Sequence, residues 1–182
     1  MSKFSSLIPL PGKNSVNTGK RSCPTKLLVS RHGMPSEKLT SVCKFPTNPY
    51  WSKRMITRDV GPFSVTGFDK FIELLIKANA EIKKQYPELY KVMGTAGCLC
   101  VRHVRGNPGS LSNHGLGMAV DIKIDGVLSP YGGSKMQAGL LDIYRVYKTF
   151  DIFWGVNFKV SDAMHFEASD VLVKKWISEG KL

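Results

Sequence analysis

Apolar and polar residues alternate from Val120 onward: Val120, Ile122 and Ile124 fall on one side of an extended chain, and Asp121, Lys123 and Asp125 fall on the other. The pattern predicts a strand with Asp121 turned away from its apolar face. It is fed by the loop Ser112-Asn113-His114-Gly115-Leu116-Gly117-Met118, where Gly115 and Gly117 let the backbone fold tightly. A shorter alternation, His165-Phe166-Glu167, puts His165 and Glu167 on one face and Phe166 on the other. Gly97 to Arg105 reads as a further strand, closed by a turn at Gly106-Asn107-Pro108-Gly109.

Helical spacing governs other stretches. Phe68, Phe71, Ile72, Leu75, Ile76, Ala78 and Ile82 recur on one face, with Lys77, Glu81 and Lys84 outside. Thr66 is the expected N-cap, with Asp69 in the favourable first turn. Pro87 ends the helix, and Glu88 to Met93 adds one more turn before Gly94. A second helix carries Met136, Leu140, Tyr144 and Tyr147, opened by Ser134 after a loop marked by Gly126 and Pro130-Tyr131-Gly132-Gly133. A closing helix runs from Ser169 to Glu179, with Ser169 as cap and Val173, Trp176 and Ile177 inward.

Residues 1–60 follow neither period. Pro9, Pro11, Pro24, Pro35, Pro46 and Pro49 forbid long helices and predict an extended, Pro-rich arm of unassigned role. Lys26-Leu27-Leu28-Val29-Ser30 is its strand-like run, and Phe45, Tyr50 and Trp51 supply aromatic surface to pin it down. The remaining residues, 61–182, form the domain proper.

A chain of 182 residues with 42% hydrophobic and 22% charged residues has the composition of one globular domain that needs no disulfide staples. No apolar run approaches the ~18 residues of a membrane span. The start, Met1 to Gly12, has too short an apolar part for a secretory signal, which predicts a protein made and kept in a cytoplasm. The balance of 26 Lys and Arg against 14 Asp and Glu gives +12, a surface that attracts polyanions, either nucleic acid or an anionic cell wall. Cys23, Cys43, Cys98 and Cys100 form no Cys-x-x-Cys pair, which argues against zinc-finger and thioredoxin-type chemistry. Cys98 and Cys100 read as buried free thiols on one strand face, and a Cys23 to Cys43 bridge stays open.

The chemistry concentrates at His114, Asp121 and His165. Two imidazoles and one carboxylate are a usual ligand set for catalytic zinc, which keeps a fourth position for water. Ser-x-His-x-x-Gly-x-Ala-x-Asp, here Ser112 to Asp121, followed by Asp-x-Met-His-Phe-Glu, here Asp162 to Glu167, resembles the zinc-dependent D-alanyl-D-alanine carboxypeptidases and L-alanyl-D-glutamate endopeptidases that cut peptidoglycan peptides. Bacteriophage endolysins are among them. The resemblance runs from about Gly97 to Glu167, and Val156 stands where many members have a second glycine after the Trp154-Gly155 pair.

That resemblance implies an α+β fold in which a small antiparallel sheet carries a zinc site and helices back it, as in the hedgehog/DD-peptidase architecture. It makes 61–182 a zinc peptidase domain with Zn²⁺ on His114, Asp121 and His165. It also implies Asp162 as general base, with Glu167 as rival and otherwise a group that orients a ligand, and Arg102 as the cation that holds a carboxylate or oxyanion, with Arg105 as rival. Ser112 is expected to fix the loop by hydrogen bonding to backbone, and it lacks the partners of a nucleophile. The absence of His-Glu-x-x-His argues against a thermolysin-like protease. The expected partners are a peptidoglycan peptide and an anionic wall surface, reached after release from a host cytoplasm. The competing readings are a non-catalytic zinc-containing binding module of the same fold and, less favoured, a basic nucleic-acid-binding protein.

Overall fold

The computed structural model describes residues 1–104 and 107–182. The first sixty or so residues supply β1 (Leu7–Pro9), α1 (Thr25–His32), α2 (Pro49–Ser52) and β2 (Met55–Asp59), which pairs in a hairpin with β3 (Ser64–Phe68). Then follow α3 (Asp69–Gln85), α4 (Pro87–Val92), β4 (Met93–Gly97), β5 (His103–Val104), β6 (Asn107–Leu111), β7 (Ala119–Ile124), β8 (Val127–Leu128), β9 (Lys135–Gln137), α5 (Ala138–Tyr147), β10 (Ile152–Trp154), β11 (His165–Ala168) and α6 (Asp170–Ser178).

The central sheet is antiparallel in the order β10-β11-β7-β4, with β8 folded back on the far end of β7. Val120, Ile122, Ile124 and Phe166 are fully buried and share one core with Phe71, Ile72 and Leu75 of α3 and Leu140, Ile143 and Tyr147 of α5. The fold is therefore α+β, helices behind a small antiparallel sheet. The polar group buried at this seam is satisfied: Tyr147 donates its hydroxyl to Asn79 Oδ1 at 2.7 Å, and Asn79 donates to the Val60 carbonyl at 2.9 Å. The other sheet face carries Asp121, His165 and Glu167, since His165 lies directly across from Asp121 in the β11–β7 register.

Local expectations fail where a partner far along the chain decides. Lys26 to Ser30 is helical, inside α1; a five-residue apolar run has no period that separates strand from helix, and only Leu28 of it faces the core. Thr66 is no cap: it sits in β3, its hydroxyl 2.8 Å from that of Thr57, and α3 starts at Asp69 with Phe68 at the cap. Asp69 does occupy the first turn, accepting the Lys70 N–H at 2.6 Å. Met136 belongs to β9, captured by β1 across Ile8, so α5 opens after Gln137 and not at Ser134.

The strand expected from Gly97 to Arg105 breaks after Gly97. The backbone there bulges against β7, and Cys100 then donates to the His114 carbonyl at 2.9 Å while Val101 bridges Lys44. Pairing resumes at β5, with Val104 opposite Asn107 where the turn was expected. Cys43 is bonded to Cys100, 57 residues on, and not to Cys23; Cys23 and Cys98 are buried free thiols. Residues 1–60 lie along the rest of the chain: β1 pairs with β9, Asn17 bonds both backbone groups of Trp154, and Leu28 and Trp51 are fully buried.

Closing a loop of 57 residues removes much of the freedom of the unfolded chain. Reduction of Cys43–Cys100 should therefore cost about 2–4 kcal/mol. Urea unfolding with and without reductant measures it, and unchanged midpoints would show the bridge to be idle.

Candidate metal centre

Each of the three candidate ligands arrives by a different route. Asp121 and His165 are cross-strand neighbours on β7 and β11. His114 comes from a 3-10 turn, Asn113–Leu116, that feeds β7 and is closed by Gly117 in the left-handed conformation (φ 63°). A Cβ on Gly117 would stand 2.6 Å from the Phe68 amide nitrogen, so the turn can press against β3 only without a side chain there. His165 follows a loop pinned by Trp154, whose indole donates to the Ala163 carbonyl at 2.7 Å, and by Gly155, whose carbonyl accepts the Asp162 N–H at 3.0 Å. A Cβ on Gly155 would come within 2.7 Å of the Asp162 carbonyl, which accounts for glycine after Trp154.

The three side chains form a near-equilateral triangle. His114 Nε2 lies 3.1 Å from His165 Nδ1 and 3.2 Å from Asp121 Oδ1, and His165 Nδ1 lies 3.2 Å from the same oxygen. The opposite nitrogen of each ring is already committed. His114 Nδ1 donates to the Cys98 carbonyl at 2.9 Å, and His165 Nε2 donates to Glu167 Oε2 at 2.8 Å. A carbonyl and a carboxylate can only accept, so the proton of each neutral ring is fixed on its outer nitrogen. Two ring lone pairs and a carboxylate oxygen then face one point and repel unless something positive stands between them. Bonds of 2.0–2.1 Å in a tetrahedral zinc site separate ligand atoms by about 3.3 Å, close to this triangle. The residues thus fit a zinc ion, and among the described residues no fourth His, Cys, Asp or Glu joins the three. The histidine side chains are 8% exposed and Asp121 26%, so the triangle opens to solvent on the carboxylate side.

Burial would lower the His165 pKa, but hydrogen bonds and charge from Asp121 and Glu167 push it up to about 10. Asp121 is held far below the usual carboxylate range: burial opposes this, and the charge and hydrogen bonds of His114 and His165 prevail. In the metal-free protein, a protonated His165 therefore brings positive charge to the triangle.

Glu167 is fully buried. Its Oε1 accepts from the Ser22 hydroxyl at 2.5 Å and the Cys23 N–H at 2.9 Å, and Oε2 accepts from Asn113 Nδ2 at 2.6 Å besides His165. Burial would raise its pKa, yet these partners, His165 foremost, hold it below the ordinary value. Ser112 braces the turn through its backbone, accepting the Gly115 N–H at 2.7 Å and donating to the Arg102 carbonyl at 3.2 Å; its hydroxyl does not cap the turn.

Arg102 is half-buried at the start of the β5–β6 pair, and its Nη1 donates to the adjacent His103 carbonyl at 3.0 Å. Its rival, Arg105, lies outside the described residues. Asp162 stands three residues before His165, and its carbonyl accepts the His165 N–H at 3.3 Å. Sequence reasoning missed Ser22, Cys23 and Asn113. For Asn113 the signal was its place beside His114; for residues 22 and 23, some 145 positions from Glu167, there was none.

Residues 105–168 match the model of a family described as D-alanyl-D-alanine carboxypeptidase, a stretch of about a third of the chain that contains all three converging side chains with Asp162 and Glu167. The match supports, at family level, a peptidase acting on peptidoglycan. No curated protein and no solved structure matches the chain.

Since His165 carries a proton below about pH 10 without metal, zinc must displace it. Metal affinity should fall as pH drops, and binding at pH 7.5 should release about one proton. Calorimetry in buffers of different ionisation heat counts that proton; no release would contradict the arrangement. Gly117→Ala should destabilise the fold by about 1–3 kcal/mol, through a left-handed non-glycine residue and the clash with Phe68, as read by thermal unfolding.

Proposed function

We propose that the protein is a zinc-dependent peptidase that hydrolyses stem peptides or cross-links of bacterial peptidoglycan, in the manner of a phage or prophage endolysin. The observation that carries this reading is the convergence of His114 Nε2, Asp121 Oδ1 and His165 Nδ1 on one point, inside the stretch that matches the carboxypeptidase family.

Zinc bound there supplies Lewis acidity, lowering the pKa of water toward 7 and polarising a peptide carbonyl. The remaining roles fall to the chain itself. Asp162, delivered by the same loop as His165, takes the proton from the attacking water and passes it to the leaving amine. Arg102 swings its guanidinium from the His103 carbonyl to a substrate carboxylate or the developing oxyanion. Glu167 holds His165 with its lone pair turned inward. Excess positive charge on the surface favours approach to an anionic wall. The Cys43–Cys100 bridge suits oxidising surroundings, which agrees with action on the wall after release from a host cytoplasm.

The test is digestion of purified peptidoglycan, with mass spectrometry of the released muropeptides to say whether a terminal D-alanine or an internal bond is cut. The wild type should cleave, a chelator should abolish cleavage, and zinc should restore it. Asp162→Ala should lower kcat by about 10²–10⁴-fold while retaining zinc. Full activity in that variant would remove Asp162 as the base. Salt-sensitive DNA binding without any wall cleavage would favour a nucleic-acid-binding protein instead.

A further inference from the structure

The first sixty residues have no role in the proposed chemistry, yet one part of them reaches the metal centre. Ser22 and Cys23 approach Glu167 on the ligand-bearing side of the sheet, and Thr25, three residues on, bonds the side-chain oxygen of Asn113. Asn113 in turn donates to Glu167 Oε2, the oxygen that accepts from His165. One buried carboxylate thereby touches His165 directly and the His114 turn through Asn113.

Two oxygens with four donors leave Glu167 little freedom to rotate. Without the Ser22 hydroxyl, Oε1 would keep only the Cys23 N–H, and the carboxylate could turn away from the geometry that serves His165 and Asn113 together. We propose that Ser22, acting through Glu167, is a positioning residue of the metal centre, so that the N-terminal segment sets the relative placement of the two histidine ligands. The inference rests on the metal-centre reading above and deepens it: the segment outside the family match completes the zinc site.

The test measures metal, not only turnover. Zinc affinity, read by competition with a chromophoric chelator, should weaken about tenfold or more in Ser22→Ala, and Ser22→Thr, which keeps the hydroxyl, should restore it. Cobalt-substituted Ser22→Ala should show a shifted visible spectrum. In a Glu167→Gln background, Ser22→Ala should add little further loss, because the two act in series. Ser30→Ala, which removes an exposed hydroxyl of α1 that donates to the Leu27 carbonyl within its own helix, should match the wild type and controls for damage to the segment. Wild-type zinc affinity and an unshifted cobalt spectrum in Ser22→Ala overturn the inference, as does a full additive loss in the double variant. A wild type that shows the Ser22 dependence but cuts no peptidoglycan overturns the peptidase reading alone, whereas a wild type that binds no zinc overturns both.

Discussion

A carboxylate removed from water needs enough donors around it, or it takes up a proton or forces its way out. Glu167 is fully buried, and its four donors come from two distant parts of the chain, residues 22 and 23 and residue 113, and from its strand neighbour, residue 165. The fold can bury this charge only when all of these are in place. The same closure brings the histidines together, since two of the donors are a candidate ligand and the neighbour of another. Satisfaction of one buried anion and assembly of the candidate metal centre are in that sense a single event.

The strands and helices with a sustained period were legible. The alternation of β7 predicted both its existence and the outward position of Asp121, and the face shared by His165 and Glu167 holds in β11. Helix α6 begins at its expected cap, where Ser169 accepts the Leu172 N–H at 3.2 Å. The α+β layout was legible through the family resemblance, and these elements agree with it. The segments that escaped were short: β1, β9 and the β2–β3 hairpin are three to five residues each, and partners elsewhere in the chain impose their conformation. Likewise the cysteine pairing could not be read, because Cys43 meets Cys100 through the Lys44 to Val101 bridge, a tertiary contact with no local signature.

At the site, the ligand atoms and their supports differ in how visible they are. Ligands must be His, Asp, Glu or Cys, so the candidates are few and a motif can reveal them. Supports are ordinary groups: a serine hydroxyl, an asparagine amide, the Cys23 N–H, the Cys98 carbonyl. Backbone groups in particular leave no trace in residue identity, and Cys98 contributes through its carbonyl, not its thiol, which donates to the Gly117 carbonyl.

These supports divide between the two histidines in a telling way. His165 is oriented by Glu167, which leans on residues 22 and 23; His114 is oriented by the Cys98 carbonyl, two residues before the cysteine bonded to Cys43. Both ring orientations thus depend on chain that precedes residue 105, where the family match begins. A free imidazole turns about two side-chain torsions and can offer either nitrogen, so ligands without such partners form an imprecise site of lower affinity. The matched stretch carries the candidate ligand atoms, and the segments before it carry the constraints that make three lone pairs point at one place.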